Sequence, residues 1–323
     1  MDKTIEVNEL TKYYEDLLAV DHISFTVNRG EVFGFLGPNG AGKTTTIRML
    51  TGLLRPSAGT AKIMGFDIKR EITRVKKAIG VVPDVSNLYD ELTALDNLIF
   101  MAQLYGVPKE ERLSRAEGLL ELFDLAEKKL VLFGSLSRGM KRRLTIAASL
   151  VHKPEVIFLD EPTSGLDVMN ARVLRNTILR LRQRGVTIFL TTHNIEEANI
   201  LCDRIAIIVK GRIIALETPR GLKAKVEEEP IIEVGLGVSV PDLLNTLKGV
   251  GGVLDVTRIN GGTLRLRVAD IPAALPAVVA RLDSLGSKIT FLNTNRSTLE
   301  DAFVKLTGLN REIMLADKAG KKM

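Results

Sequence analysis

Gly37-Pro38-Asn39-Gly40-Ala41-Gly42-Lys43-Thr44-Thr45 decides how the rest of this chain is read. Its spacing is glycine, four residues, then Gly-Lys-Thr. It lies between Glu31–Leu36, an apolar run that reads as a buried strand, and a helical pattern beginning near Lys43. That strand–loop–helix setting is what a phosphate-cradling loop requires. Glycines at 37, 40 and 42 let the backbone curl so that successive N–H groups point inward at phosphate oxygens. The following helix adds its unpaired N–H groups and positive end. Lys43 sets a point charge near the outer phosphates, and the Thr44 hydroxyl is suited to ligate magnesium. The full spacing and both flanks set the stretch apart from a glycine-rich turn that merely reverses the chain. It is a nucleotide site.

At 323 residues the chain has room for about two domains. Its 45% hydrophobic and 26% charged residues are ordinary for a soluble globular protein with a sizeable core. Cys202 is the single cysteine, which excludes an intramolecular disulfide framework and fits a reducing compartment. No charged-then-apolar signal segment opens the sequence. The longest apolar runs, such as Ile205–Val209 and Ile271–Val279, fall far short of the roughly 20 residues that span a bilayer. A net charge of +6 is compatible with nucleic acid or a lipid surface, but reads more simply as a solvated basic face.

Thr4–Leu10 and His22–Val27 alternate apolar and polar residues, as antiparallel strands do. Lys12-Tyr13-Tyr14 lies between them, in what reads as a strand connection. Tyr14 there either stacks on an adenine ring or packs on the surface. After the phosphate loop come strands over Ala61–Met64 and Ala78–Val82, ending at Pro83-Asp84. From Thr93, a suitable N-cap, to about Leu125 the pattern is helical, broken by Gly106-Val107-Pro108. At Leu136-Ser137-Arg138-Gly139-Met140 a loop meets another helix with Ser137 as N-cap. A hydroxyl and free N–H groups at a positive helix end form an anion-binding arrangement, although taken alone this is only a capped helix.

Val156-Ile157-Phe158-Leu159 is apolar throughout and ends in Asp160-Glu161-Pro162. A run buried on both faces is typical of a central parallel strand, whose carboxyl end is where α/β sheets bind ligands. Two adjacent carboxylates there are costly to keep ionised without a cation or water network. Asp160 is therefore the candidate for magnesium contact and Glu161 for orienting or deprotonating a water. Ser164-Gly165-Leu166-Asp167 opens the next helix, to about Arg184, and Val186–Leu190 is a further buried strand followed by Thr191-Thr192-His193. A lone histidine is usually structural; at the same edge as the loop and the carboxylate pair, His193 is read as sensing a γ-phosphate. Ile205–Val209 and Arg212–Ala215 read as a closing hairpin.

These motifs, in this order, resemble those of the ATP-binding cassette (ABC) ATPases over about residues 3–220. Leu136–Met140 corresponds to the signature motif, Ile157–Glu161 to the magnesium and catalytic segment, Ser164–Asp167 to the D-loop and His193 to the switch. The resemblance implies ATP and Mg2+ as ligands, with Thr44, Asp84 and Asp160 around the metal and Tyr14 on adenine. Glu161 would activate water, and Gly37–Thr45 and Asp167 would border the nucleotide. It implies a head-to-tail homodimer in which each ATP lies between Lys43 of one subunit and Ser137 and Gly139 of the other. The helical insert, about 84–152, would touch a separate membrane permease. Two departures stand out. Asp84 replaces the family's usual glutamine; it can still ligate magnesium but cannot donate a hydrogen bond. Arg138 and Met140 replace the usual glycine and glutamine. Met140 resembles the daunorubicin-resistance type of efflux ATPase, while Arg138 either adds charge near the partner's γ-phosphate or is solvated, the latter being preferred.

Residues 221–230 read as a linker and 231–310 as an accessory domain, with strands and helices in the order βαββαβ. That order predicts a ferredoxin-like sandwich with an antiparallel sheet, followed by a helix over Leu299–Leu306. The accessory domain contains no catalytic constellation and reads as a dimer-stabilising or regulatory addition. Residues 311–323 form a basic tail expected to be disordered. The expectation is an α/β P-loop cassette with antiparallel and helical subdomains (1–220), acting as the ATPase of an exporter on the cytoplasmic face of the membrane, with no nucleic acid partner. The alternatives are an importer ATPase with a ligand-sensing C-terminal domain and a non-transport ABC ATPase acting on ribosome or DNA.

Overall fold

In the computed structural model, residues 2–83, 86–226, 230–237, 243–259, 263–295 and 298–309 are described. Strands β1 (Lys3–Tyr14) and β2 (Leu17–Asn28) alternate buried and exposed side chains and pair antiparallel, Val7 opposite Phe25. One buried face produces that alternation. β1 continues through Lys12-Tyr13-Tyr14, so these residues belong to a strand and not to the connection expected from the sequence. Tyr14 pairs with Leu17, and the turn is Glu15 (φ 50°) and Asp16 alone. Tyrosines favour a half-exposed strand surface, which explains the extension.

β3 (Val32–Leu36), buried along its whole length, leads through the phosphate loop into α1 (Lys43–Leu50). β4 (Ala58–Ile63), β5 (Phe66–Asp67), α2 (Ile72–Ala78) and β6 (Ile79–Val82) follow. Next come three helices, α3 (Ala94–Leu104), α4 (Lys109–Leu122) and α5 (Arg138–Ser149). Thr93 caps α3 by accepting from Asp96 N at 3.0 Å, and α3 packs on both α4 and α5. The chain then returns through β7 (Val156–Asp160), α6 (Val168–Gln183), β8 (Thr187–Thr192), α7 (Ile195–Leu201), β9 (Arg204–Val209), β10 (Arg212–Glu217) and α8 (Pro219–Ala224).

One sheet has the order β2-β1-β4-β5 and the other β10-β9-β3-β8-β7-β6. In the second, β9, β3, β8, β7 and β6 run parallel and β10 closes the edge antiparallel. Phenylalanines join the two sheets. Phe25 of β2 lies 5.3 Å, centroid to centroid, from both Phe33 and Phe35 of β3, and 6.0 Å from Phe189 of β8. Such contacts add about 0.5–1.5 kcal/mol per pair beyond burial. Phe158 of β7 joins the group, 5.4 Å from Phe189, so β3, β7 and β8 share one aromatic core and their carboxyl ends lead to Gly37, Asp160 and His193.

The chain divides into two compact units, the larger built on Met1–Leu222 and the smaller on Lys223–Lys305. In the smaller, β11 (Ile231–Leu236), α9 (Leu243–Lys248), β12 (Val253–Arg258), β13 (Thr263–Val268), α10 (Ile271–Ser284) and β14 (Ile289–Asn295) follow in βαββαβ order. Their antiparallel sheet has the order β12-β13-β11-β14, the ferredoxin-like arrangement. Ile232, Val234, Leu264 and Leu266 of the sheet pack with Leu247, Val278 and Leu282 of the helices. α11 (Leu299–Thr307) follows, burying Leu299, Ala302 and Phe303. The Glu227–Glu229 run, the turn at 260–262 and the tail at 311–323 lie outside the described residues.

Candidate nucleotide site

The loop after β3 is set by backbone contacts that leave little room for side chains. Gly37 N donates to the Thr192 carbonyl at the end of β8, 3.2 Å away, and a Cβ at 37 would lie 2.2 Å from the Ile208 carbonyl of β9. Gly42 caps α1 with φ 103°, and a Cβ there would lie 2.7 Å from the Ala19 carbonyl. Lys43 is only 5% exposed, and its Nζ donates to the carbonyls of Gly37 (2.7 Å) and Pro38 (3.0 Å). No acidic residue occupies the first turn of α1, so the positive end of that helix is left for an external anion. Thr44 and Thr45 stand half-buried at that end.

β7 and β8 are neighbours in register, with Asp160 opposite Thr191. The Thr191 hydroxyl donates to Asp160 Oδ1 at 2.5 Å, holding a buried carboxylate. Glu161, the next residue, takes a left-handed backbone (φ 47°) that turns its side chain across the edge of the sheet. Residues other than glycine adopt this conformation only where their surroundings impose it. Here Glu161 N donates to both the carbonyl and the hydroxyl of Thr191, each at 3.2 Å. From the other side the Arg142 guanidinium of α5 donates to the carbonyls of Asp160 (2.7 Å) and Glu161 (3.3 Å).

The Glu161 carboxylate is shared between two cationic or donor groups. His193 Nδ1 is 2.7 Å from Oε2, and Lys43 Nζ is 3.2 Å from Oε1. Burial alone pushes this carboxyl up, but the His193 hydrogen bond and the Lys43 charge outweigh it and hold it below its ordinary value. The contact with Lys43 is an ion pair without hydrogen-bond geometry, and buried Oε1 has no hydrogen-bond partner. An ionised carboxylate so placed is suited to accept a proton from water.

Thus Lys43, Glu161 and His193 meet at one edge of the sheet, with Asp160 beside them. A second group joins Ser137, Gly139 and Asp167. Ser137 caps α5, its hydroxyl accepting from Met140 N at 3.3 Å. Asp167 caps α6 through Asn170 N (2.9 Å) and accepts from the Asn170 side chain at 2.6 Å. Gly139 packs on that amide, where a Cβ would lie 2.2 Å from Asn170 Oδ1. Arg138 is exposed, its guanidinium against Gly165. Tyr14 is 40% exposed, with Lys12 Nζ 5.3 Å from the centre of its ring. Asp84 lies outside the described residues. Among the described residues no cluster of three or more His, Cys, Asp or Glu side chains forms a protein-only metal cage. Thr191, Arg142 and Asn170 were not identified from the sequence.

Residues 20–164 match the family model described as ABC transporter. The chain is 36% identical over 309 residues to the linearmycin resistance ATP-binding protein LnrL of Bacillus subtilis, covering 94% of this chain and 98% of that one. The chain belongs to the ABC transporter family. It is 39% identical over 304 residues to the Nod factor export ATP-binding protein I of Burkholderia thailandensis, covering 94% and 97% of the two chains. A solved ABC cassette, MJ0796, in a dimeric post-hydrolysis state bound to ADP and Pi, superposes with a TM-score of 0.61 at 26% identity, covering 66% of this chain and 98% of that one. The present chain is accordingly an ABC ATP-binding subunit and an ATPase. No described helix is long and apolar enough to cross a membrane.

Proposed function

We propose that this ABC ATPase drives export through a separate membrane permease, working as a head-to-tail homodimer on the cytoplasmic face. The single observation that carries the chemistry is the meeting of Lys43, Glu161 and His193 beside buried Asp160 at the carboxyl edge of β3, β7 and β8. In this reading the Gly37–Thr45 amides and Lys43 hold the β- and γ-phosphates, while Tyr14 stacks on adenine. Ionised Glu161 takes the proton of the attacking water through Oε1, and His193, fixed by Oε2, presents its other ring nitrogen to the γ-phosphate. Thr44 and Asp160, with Asp84 by sequence, would hold magnesium, which offsets charge on the outer phosphates in this chemistry. Ser137 and Gly139, with the free N–H groups of α5, would close on the partner subunit's ATP, and Asp167 would border the same interface.

Export is favoured over import because LnrL and the Nod factor protein, both matched over nearly their whole lengths, carry names of resistance and export. ATP binding then favours the closed dimer and hydrolysis reopens it, so the permease is switched by differential affinity for two states. The test is capture of the full chain from detergent-solubilised membranes of its source. Recovery with a stoichiometric multi-span membrane protein that raises ATP turnover is the result expected. Recovery with ribosomes or nucleic acid instead would overturn the proposal.

A further inference from the structure

Arg142 lies one turn into α5, five residues beyond the Ser137 cap, and its guanidinium reaches away from the signature turn into the edge of the sheet. It donates to the carbonyl of Pro83, just past β6, to that of Asp160, the last residue of β7, and to those of Glu161 and Pro162 after it, the last at 3.0 Å. β6 and β7 are adjacent parallel strands, Val82 opposite Leu159. That register ends there, β6 running on to Pro83 and β7 into Asp160 and the Glu161 turn. Carbonyls at such a strand end have no ladder partner, and buried ones must find donors elsewhere. Four of them converge on one side chain.

The convergence bears on Glu161 because its left-handed backbone is not self-supporting. Thr191 holds its N–H from one side and Arg142 its carbonyl, with both flanking carbonyls, from the other. We infer that Arg142 is a positioning residue for hydrolysis: through four main-chain carbonyls it fixes the Glu161 turn and ties it to the Pro83 segment and to the helix that Ser137 caps. A helix rises about 1.5 Å per residue, so the Ser137 cap and Arg142 are about 7 Å apart on one rigid body. A shift of α5 when Ser137 engages the partner subunit's nucleotide therefore moves the support of this subunit's own Glu161. Lysine cannot replace the fork, since a point ammonium does not reach carbonyls on both strands in the geometry a planar guanidinium supplies.

The inference rests on Glu161 acting as the base, so the experiment separates the two claims. ATP hydrolysis and nucleotide binding are measured on the full chain for Arg142→Lys and Arg142→Gln, each in the wild-type and the Glu161→Gln background. The expected result is a kcat lowered about 10–100-fold in the wild-type background, the range for mispositioning a catalytic group, with nucleotide Kd within about twofold. In the Glu161→Gln background the same substitutions lower the residual rate less than about threefold, because a residue acting through the Glu161 carboxylate is not additive with its loss. Equal losses in both backgrounds, a wild-type kcat, weakened nucleotide binding, or unfolding of both variants would each overturn the inference. Wild-type turnover by Glu161→Gln alone would instead remove the base assignment.

Discussion

Replacing Thr191 with valine tests whether the two carboxylates are held as described, and its cost can be worked from the contacts. The substitution keeps shape and strand preference while removing one hydroxyl. That hydroxyl gives Asp160, 7% exposed, a hydrogen bond of 2.5 Å and accepts one of the two bonds from Glu161 N. A hydrogen bond to a charged group contributes about 1.5–3 kcal/mol. The Glu161 N–H keeps the Thr191 carbonyl at 3.2 Å, so its share of the loss is small. The added buried methyl returns at most about 0.8 kcal/mol. The charged bond wins, leaving a net loss of about 2 kcal/mol. For a unit the size of Met1–Leu222 that is a fall in Tm of about 4–8 °C, read by calorimetry on the full chain. Thr187→Val is the internal control: its hydroxyl accepts from Gly30 N at 3.0 Å, a neutral bond of about 1 kcal/mol. A Tm for Thr191→Val within about 1 °C of wild type, or a smaller fall than for Thr187→Val, would show that the Thr191 hydroxyl does not hold the Asp160 carboxylate.

Lys43→Ala should weaken nucleotide binding, since the ammonium held over the loop by Gly37 and Pro38 is the site's buried cation; unchanged ATP affinity in titration would count against that role. The Glu161 carboxyl lies below its ordinary 4.5, so it is ionised in the folded state wherever the unfolded chain's is. Its contribution is therefore fully present above about pH 4.5 and lost as pH falls through the lowered value. The stability that the Glu161 carboxylate adds over Glu161→Gln should therefore be lost in acid, below about pH 4.5; a difference in unfolding free energy that does not fall there would contradict the assignment.

The phosphate loop was legible because its chemistry is local: glycines, lysine and threonine at fixed spacing act through their own backbone. The central strands were legible as unbroken apolar runs, and the smaller unit as alternating strands with polar turns between them. Ser137 was readable as a cap because a residue three positions on supplies the donor. Thr191 was not, because its role depends on β8 lying beside β7 with Asp160 opposite it. Arg142 looked like one more cation on a basic helix, since its acceptors are main-chain carbonyls 18–20 and 59 residues away. α2 and α7, seven residues each, are too short for a helical period to stand out. Tyr14 was assigned to a connection because Lys12-Tyr13-Tyr14 interrupts the alternation that marks the rest of β1.

In the proposed chemistry one ionised carboxylate, fixed between Lys43 and His193, takes the proton of the attacking water. Single-turnover ATP hydrolysis by Glu161→Gln, with nucleotide binding measured in parallel, tests it most directly. Glutamine keeps the size of the side chain and one acceptor oxygen but cannot act as the base. ATP binding is expected to be unchanged and hydrolysis slowed roughly 10²–10⁴-fold. Turnover near the wild-type rate with binding intact would contradict it.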